Sequence, residues 1–406
     1  MLEICWLVKQ SEFQEVGVLL IHDKKILGCD DVTKEYNLDR QTDRQTDRQT
    51  DRQTDSRNPN IENLRVICML MITILHALGH GGVLESYHYG QIGYYVFWLL
   101  EAICVVGVNV FVLISGFFGW RVKFTVSRII RLWVEVELFS LLCLAIRGII
   151  DSGFGISDLV FCFFSVTSKR YWFATFFILL LIIQPFLNIF INKIDVQLHK
   201  KIIAILITVF SIVPTFMPWS REALGDGMNL IWFVVLYFIG SYLGKYGIKD
   251  IINHRRLSPF AYYVIFVCLL FASNVLIGGG TTKLFGKVKG NAIFYNYNSL
   301  FVLIASVALF IAVISYKKYK FYRIAKIGKY CLGVYLISDH RIIRESLWST
   351  FNIVPRAKGS VLLTLFWVAI AVVCIFFAGI VADWIIKKVI DRIPYRNADS
   401  LFDLGF

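Results

Sequence analysis

Ten long apolar runs recur between residues 62 and 386 of this chain. They cover roughly 62–79, 93–119, 127–150, 171–192, 201–218, 228–247, 257–277, 297–316, 328–348 and 361–386. Each approaches the ~20 residues a helix needs to cross the hydrocarbon core of a bilayer. A soluble chain with 57% hydrophobic and only 17% charged residues would have too little polar surface to offer water. Barrel strands would be short and alternating, and these runs are neither. The expected fold is therefore all-α: a polytopic bundle of about ten transmembrane helices in a lipid bilayer. Two runs are irregular. The second is long enough to tilt or break near Gly107, and the ninth is interrupted by Ser338, Asp339, His340, Arg341 and Arg344.

The net charge of +13 does not point to nucleic acid, because the basic residues are scattered through short connections between apolar runs. Twenty-one of them, including Arg121, Lys123, Arg128 and Arg131, fall on the side that also holds the C-terminal tail, against eleven on the other. The positive-inside rule then places both termini in the cytosol, as an even helix count requires. The nine cysteines form no CxxC pair and most lie in apolar runs. They read as small buried hydrophobes, and no metal-ligand spacing appears.

Residues 1–57 stand apart from this pattern, and 393–406 form a short cytosolic tail. From Asp39 to Asp55 the chain repeats Asp-Arg-Gln-Thr. Such a tract cannot bury a core, so a solvated linker is expected. The codons GAC, AGA, CAG and ACA spell this cycle and join into one repeated tetranucleotide, whose three reading frames all give the same tetrapeptide cycle. The reading predicts a slippage-prone tract whose length sets the downstream frame, making expression phase-variable. Sequencing the tract from many single colonies tests this, and interrupted synonymous codons would sink it.

Ionisable residues at membrane depth are costly and mark function by default. Arg65 and His76 are eleven residues apart, which is three helical turns plus about 20°, so both lie on one face about 16 Å apart along the axis. Alone, Arg65 reads as a snorkelling interfacial arginine and His76 as an interhelical hydrogen-bonding group. Together they favour a path through the protein. Ser115-Gly116 permits close helix packing, Glu135 has Arg131 four residues before it as a candidate partner, and Tyr171-Trp172-Phe173 reads as an interfacial aromatic belt.

At these residues the chain resembles the acyltransferase 3 family. Four stretches carry the likeness in order. They are Asn63-Leu64-Arg65 with His76 after ten further residues, Asn109 to Phe118, Tyr171-Trp172-Phe173 running on to Gln184-Pro185-Phe186-Leu187-Asn188, and Gly333 to Asp339. The likeness covers about 58–392 and omits the N-terminal segment. It does not extend to the C-terminal extracytoplasmic hydrolase-like domain that some relatives carry.

The resemblance implies a ten-helix bundle of the bacterial inner membrane. Such a protein moves an acyl group, usually acetyl, from cytosolic acyl-CoA to a hydroxyl of a surface polysaccharide. It also implies site roles: His76 as the catalytic histidine, with Arg65 beside it holding the acyl-CoA arm. Charge and cytosolic position add Arg128 and Arg131 as expected contacts for the phosphates of acetyl-CoA, a donor substrate and not a bound cofactor, and Ser115 is a further expected contact. Tyr171, Trp172, Asp339 and His340 become the acceptor-glycan contacts. One departure stands out. Relatives often place histidine before the aspartate, where this chain has Ser338, with His340 just after. Substitution by His340 needs a broken helix, since neighbouring helical positions point about 100° apart. A transporter using the same Arg and His as a substrate or proton path is the other reading, and the absence of an obvious inverted repeat weighs against it. A structural scaffold would leave both residues unexplained.

Overall fold

The computed structural model describes residues 59–150, 155–248, 257–316 and 326–393. The Asp-Arg-Gln-Thr tract and the residues after 393 lie outside these. The described residues belong to one unit, 58–406. Among them the structure is all-helical, with no strand. The helices that matter here are α1 (Pro59–Gly79), α2 (Ile92–Cys104), α3 (Gly107–Gly119), α4 (Val126–Ile150), α5 (Ile156–Phe163), α6 (Trp172–Lys193), α7 (Val196–Ile207), α8 (Leu230–Tyr246), α9 (Pro259–Phe285), α10 (Leu300–Ile314), α11 (Cys331–Ser338), α12 (Arg344–Thr350) and α13 (Val361–Ile390).

Local chemistry sets several ends. Asp195 accepts from the Leu198 amide at 2.7 Å to start α7, and Asn229 accepts from Trp232 at 2.9 Å to start α8. Helix α9 opens on a Ser258 cap with Pro259 behind it and closes on Gly286, whose φ of +68° is the left-handed conformation that ends helices.

Among the described residues six helical stretches are long and apolar enough to cross a membrane: Asn60–Gly79, Ile92–Gly119, Trp172–Lys193, Val196–Phe216, Pro259–Phe285 and Val361–Ile390. Helices α8 and α10 are apolar but shorter. Helix α4 covers the third expected run at full length, but Arg128, Arg131, Glu135, Glu137 and Arg147 make it too charged to qualify. The second expected run is interrupted at Val105-Val106, immediately before Gly107, where α2 hands over to α3. The ninth is corrected: α11 stops at Ser338, and a turn over Asp339–Ile343 separates it from α12. Three polar residues in succession, Ser338, Asp339 and His340, bond sideways here.

Helix α1 is the hub, packed against α2, α3, α10, α11 and α13. The most extensive contact joins α3 to α8, through glycines at the seam. A Cβ on Gly116 would sit 2.5 Å from the Tyr237 carbonyl oxygen, and one on Gly240 3.0 Å from Gly116 Cα. Gly240 and Gly244 give α8 the small-xxx-small pattern that lets helix backbones meet. By contrast α9 and α13 bury only 22% and 28% of their most apolar windows. Outward residues such as Leu276, Phe377 and Leu362 make those faces apolar, as lipid contact requires.

Candidate functional site

The site is assembled around α1. Arg65 and His76 both line a cavity of about 220 Å³, closed by α3, α4, α6 and α11. Ser115, Arg128, Trp172, Tyr297, Lys329 and Tyr335 also face it. Chain direction orders the lining. Arg65, Arg128 and Lys329 lie near the starts of α1, α4 and α11. His76 lies near the end of α1, close to the start of α6 where Trp172 sits. The cavity thus runs from a cationic end to an imidazole with an aromatic neighbour. Trp172 stacks on Tyr297 with ring centroids 5.5 Å apart, so its plane is fixed. Arg65 is ion-paired with Glu62, one turn earlier on α1.

His76 is held from its far side. Its Nδ1 lies 2.9 Å from Ser338 Oγ, and Ser338 Oγ donates to the Tyr335 carbonyl at 3.2 Å. A serine hydroxyl has one proton. With that proton on the Tyr335 carbonyl, the oxygen accepts from Nδ1–H, and Nε2 carries the lone pair of a neutral ring. This tautomer is assigned from the hydrogen-bond pattern. It is the form able to take a proton or to attack a carbonyl carbon.

Next to it lies a charged network that the sequence reading missed. His80, one turn after His76, places Nε2 3.3 Å from Asp339 Oδ1, and Arg344 Nη1 lies 3.5 Å from the same oxygen. The rings of His76 and His80 are 5.5 Å apart. One donor atom each from His76, His80 and Asp339 falls within 4.8 Å of the others, a cluster with the reach of a metal site. Sequence spacing alone shows no such cluster, because α1 and the turn after α11 supply it jointly. Arg344 already sets a positive charge against the carboxylate.

The remaining candidates separate. Asp339 is buried beside His76 as described. His340 is also buried, but it faces Ser140, with Nε2 3.1 Å from Oγ, and packs against Tyr171 at 5.0 Å. The helix does break at Asp339, yet the break turns His340 away from His76, whose ring Ser338 contacts instead. Tyr171 is fully buried and donates to the Leu336 carbonyl at 2.8 Å, away from the cavity. Arg131 is ion-paired with Asp391 at the end of α13 and does not line the cavity. The expected Arg131–Glu135 pair is corrected. Glu135 faces Lys387 at 3.2 Å, which also binds Asp383 at 2.7 Å. A larger groove of about 890 Å³ runs between α7, α8 and α10. Among its described lining Lys200 is the only ionic group, and nothing there does acyl chemistry.

Some of what was missed had a signal. His80 follows His76 at i,i+4, a same-face spacing, and Lys329 stands in the basic run before α11. Tyr297 and the role of Ser338 had none, since both reach the site across long stretches of sequence.

No curated protein and no solved structure matches this chain. A family model, that of the acyltransferase 3 acyltransferase domain, matches residues 58–383. That span takes in every residue lining the cavity, and with it the chain is shown to belong to the acyltransferase 3 family of membrane acyltransferases.

Proposed function

We propose that this protein is an O-acyltransferase that moves an acyl group, acetyl in the simplest case, from cytosolic acyl-CoA to a hydroxyl of an extracytoplasmic polysaccharide or its lipid-linked precursor. The observation that carries this reading is the single cavity joining Arg65, Arg128 and Lys329 to His76 and Trp172. At about 220 Å³ it is smaller than the roughly 300–1,000 Å³ of a typical small-molecule site. It suits the reacting ends of two substrates better than either whole.

In this scheme the phosphates of the donor rest on Arg128 and Lys329, and its acyl thioester reaches inward past Arg65 and Ser115. Trp172 offers a face to the acceptor sugar. The sugar oxygen attacks the thioester carbonyl carbon, the C–O bond forms, and the C–S bond breaks. The hydroxyl proton goes to His76 Nε2 and from there to the departing thiolate. An acyl group carried on Nε2 itself uses the same lone pair.

The same reading gives ten membrane crossings, with the six long apolar helices joined by α4, α8, α10 and the broken α11–α12 segment. It places both termini in the cytosol of a bacterium, and it makes expression subject to the length of the Asp-Arg-Gln-Thr tract. Surface polysaccharide from cells making the native chain and from His76→Ala cells is compared by NMR at equal membrane levels of protein. O-acetyl protons present in the first and absent in the second are the expected result. O-acetyl unchanged in both removes His76 from the reaction.

A further inference from the structure

A second cavity, of about 370 Å³, opens beyond the turn that follows α11. Three arginines line it: Arg147 from the end of α4, Arg170 from the segment before α6, and Arg341 from the turn itself. Asp158 and Phe161 of α5 complete its polar and aromatic wall. All five lie at the end of the bundle opposite Arg128 and Lys329, because α4 runs from one to the other. In the reading under Proposed function, on which this inference rests, that end faces outward.

The geometry points to an acceptor subsite for an anionic glycan: a polymer whose hydroxyl-bearing units carry a carboxylate or a phosphodiester. Charge is the first reason. Three guanidiniums line this concave space, and Arg341 faces it from an exposed position. Guanidinium forks match carboxylate and phosphate oxygens bidentately. Preorganisation is the second. Arg147 Nη1 donates to the Ile342 carbonyl at 2.8 Å, fixing the guanidinium against the turn. Arg170 lies over the Phe161 ring at 5.2 Å and 3.5 Å from Asp158, with only 10% of its side chain exposed. Arg341 is exposed and reaches the same space. Position is the third. Arg341 follows Asp339 by two residues, so their Cα atoms are at most about 7 Å apart. One short turn therefore presents Asp339 to His76 and His80 on one side and Arg341 to this cavity on the other. An anionic unit held here brings a neighbouring hydroxyl toward His76.

The test is a calorimetric titration of the full chain in zwitterionic nanodiscs, with no acyl donor present. The probes are a trihexuronate, a glycerol-phosphate oligomer and a neutral trihexose. At least one acidic probe is expected to bind about tenfold tighter than the neutral one, and which of the two does so identifies the source of the anion. Arg341→Gln is expected to weaken that binding about tenfold, the scale of one charge-assisted hydrogen bond. Asp158→Asn should tighten it about threefold, a change that misfolding does not produce. Equal binding of acidic and neutral probes, or an acidic preference unchanged by Arg341→Gln, overturns the proposal. So does phosphatidylglycerol retained by the native chain and lost from Arg341→Gln without acidic-probe binding, which makes this a lipid-headgroup site. Acidic-probe binding without acyl transfer counts against the enzymatic reading and leaves the site standing. Transfer without acidic preference counts against the site alone.

Discussion

His76 is surrounded by groups with different jobs. Ser338 contacts its Nδ1, while Asp339 is held by His80 and Arg344. If Ser338 fixes the tautomer, Ser338→Ala should lower turnover by roughly tenfold, the scale of one net hydrogen bond, and leave the KM for acyl-CoA unchanged. Ser338→Thr keeps the hydroxyl and should recover most of the loss. A steady-state assay with purified protein separates these outcomes, and a rise in KM with normal kcat would contradict the assignment. Arg128 and Lys329 make the opposite prediction. The double variant Arg128→Gln/Lys329→Gln should raise the KM for acyl-CoA at least tenfold with little change in kcat, because phosphates bound far from the reacting carbonyl contribute equally before and during the chemical step. At this scale the sequence showed the face shared by Arg65 and His76, because helical geometry repeats every 3.6 residues. It did not show where His340 would turn.

The contact between α3 and α8 depends on the absence of side chains. Gly116 and Gly240 meet backbone across the seam, so an added Cβ has nothing flexible to displace. Gly240→Val is expected to destabilise the fold by about 1–3 kcal/mol through overpacking, read as a lower midpoint for thermal unfolding in detergent. Gly280 in α9 has open space around its Cβ position, so Gly280→Ala should leave the midpoint unchanged or raise it slightly. Equal losses from both variants would show that helix propensity and not the seam decides. The broken segment from α11 to α12 is the element-level counterpart. The run from 328 to 348 looks like one interrupted span, yet its polar residues find partners on α1 and α4, and those bonds end the helix at Ser338.

The described unit begins at α1, just after the repeat tract. A chain lacking residues 1–57 should therefore insert and transfer acyl groups like the full chain. Loss of membrane insertion on that deletion would show that the N-terminal segment is needed to build the bundle. With ten crossings, a fluorescent protein fused after Phe406 should be bright and an alkaline phosphatase there inactive. The reverse result would place the C-terminus outside, which takes either an inverted bundle or an odd number of crossings.

The sequence by itself determined that this chain builds apolar helices of membrane length, where its basic connections fall, and which two ionisable residues share a face of α1. These are local quantities. Apolar length is a sum along the chain, and helical phase follows from fixed rise and rotation. Only the tertiary structure decided which residues meet. It placed Ser338 on His76 from 262 positions away, turned His340 to Ser140, sent Arg131 to Asp391, and gathered Arg147, Arg170 and Arg341 around one cavity. Between helices in lipid the hydrophobic effect supplies little preference. Small-residue seams, buried hydrogen bonds and ion pairs choose the partners, and each is a property of two segments at once.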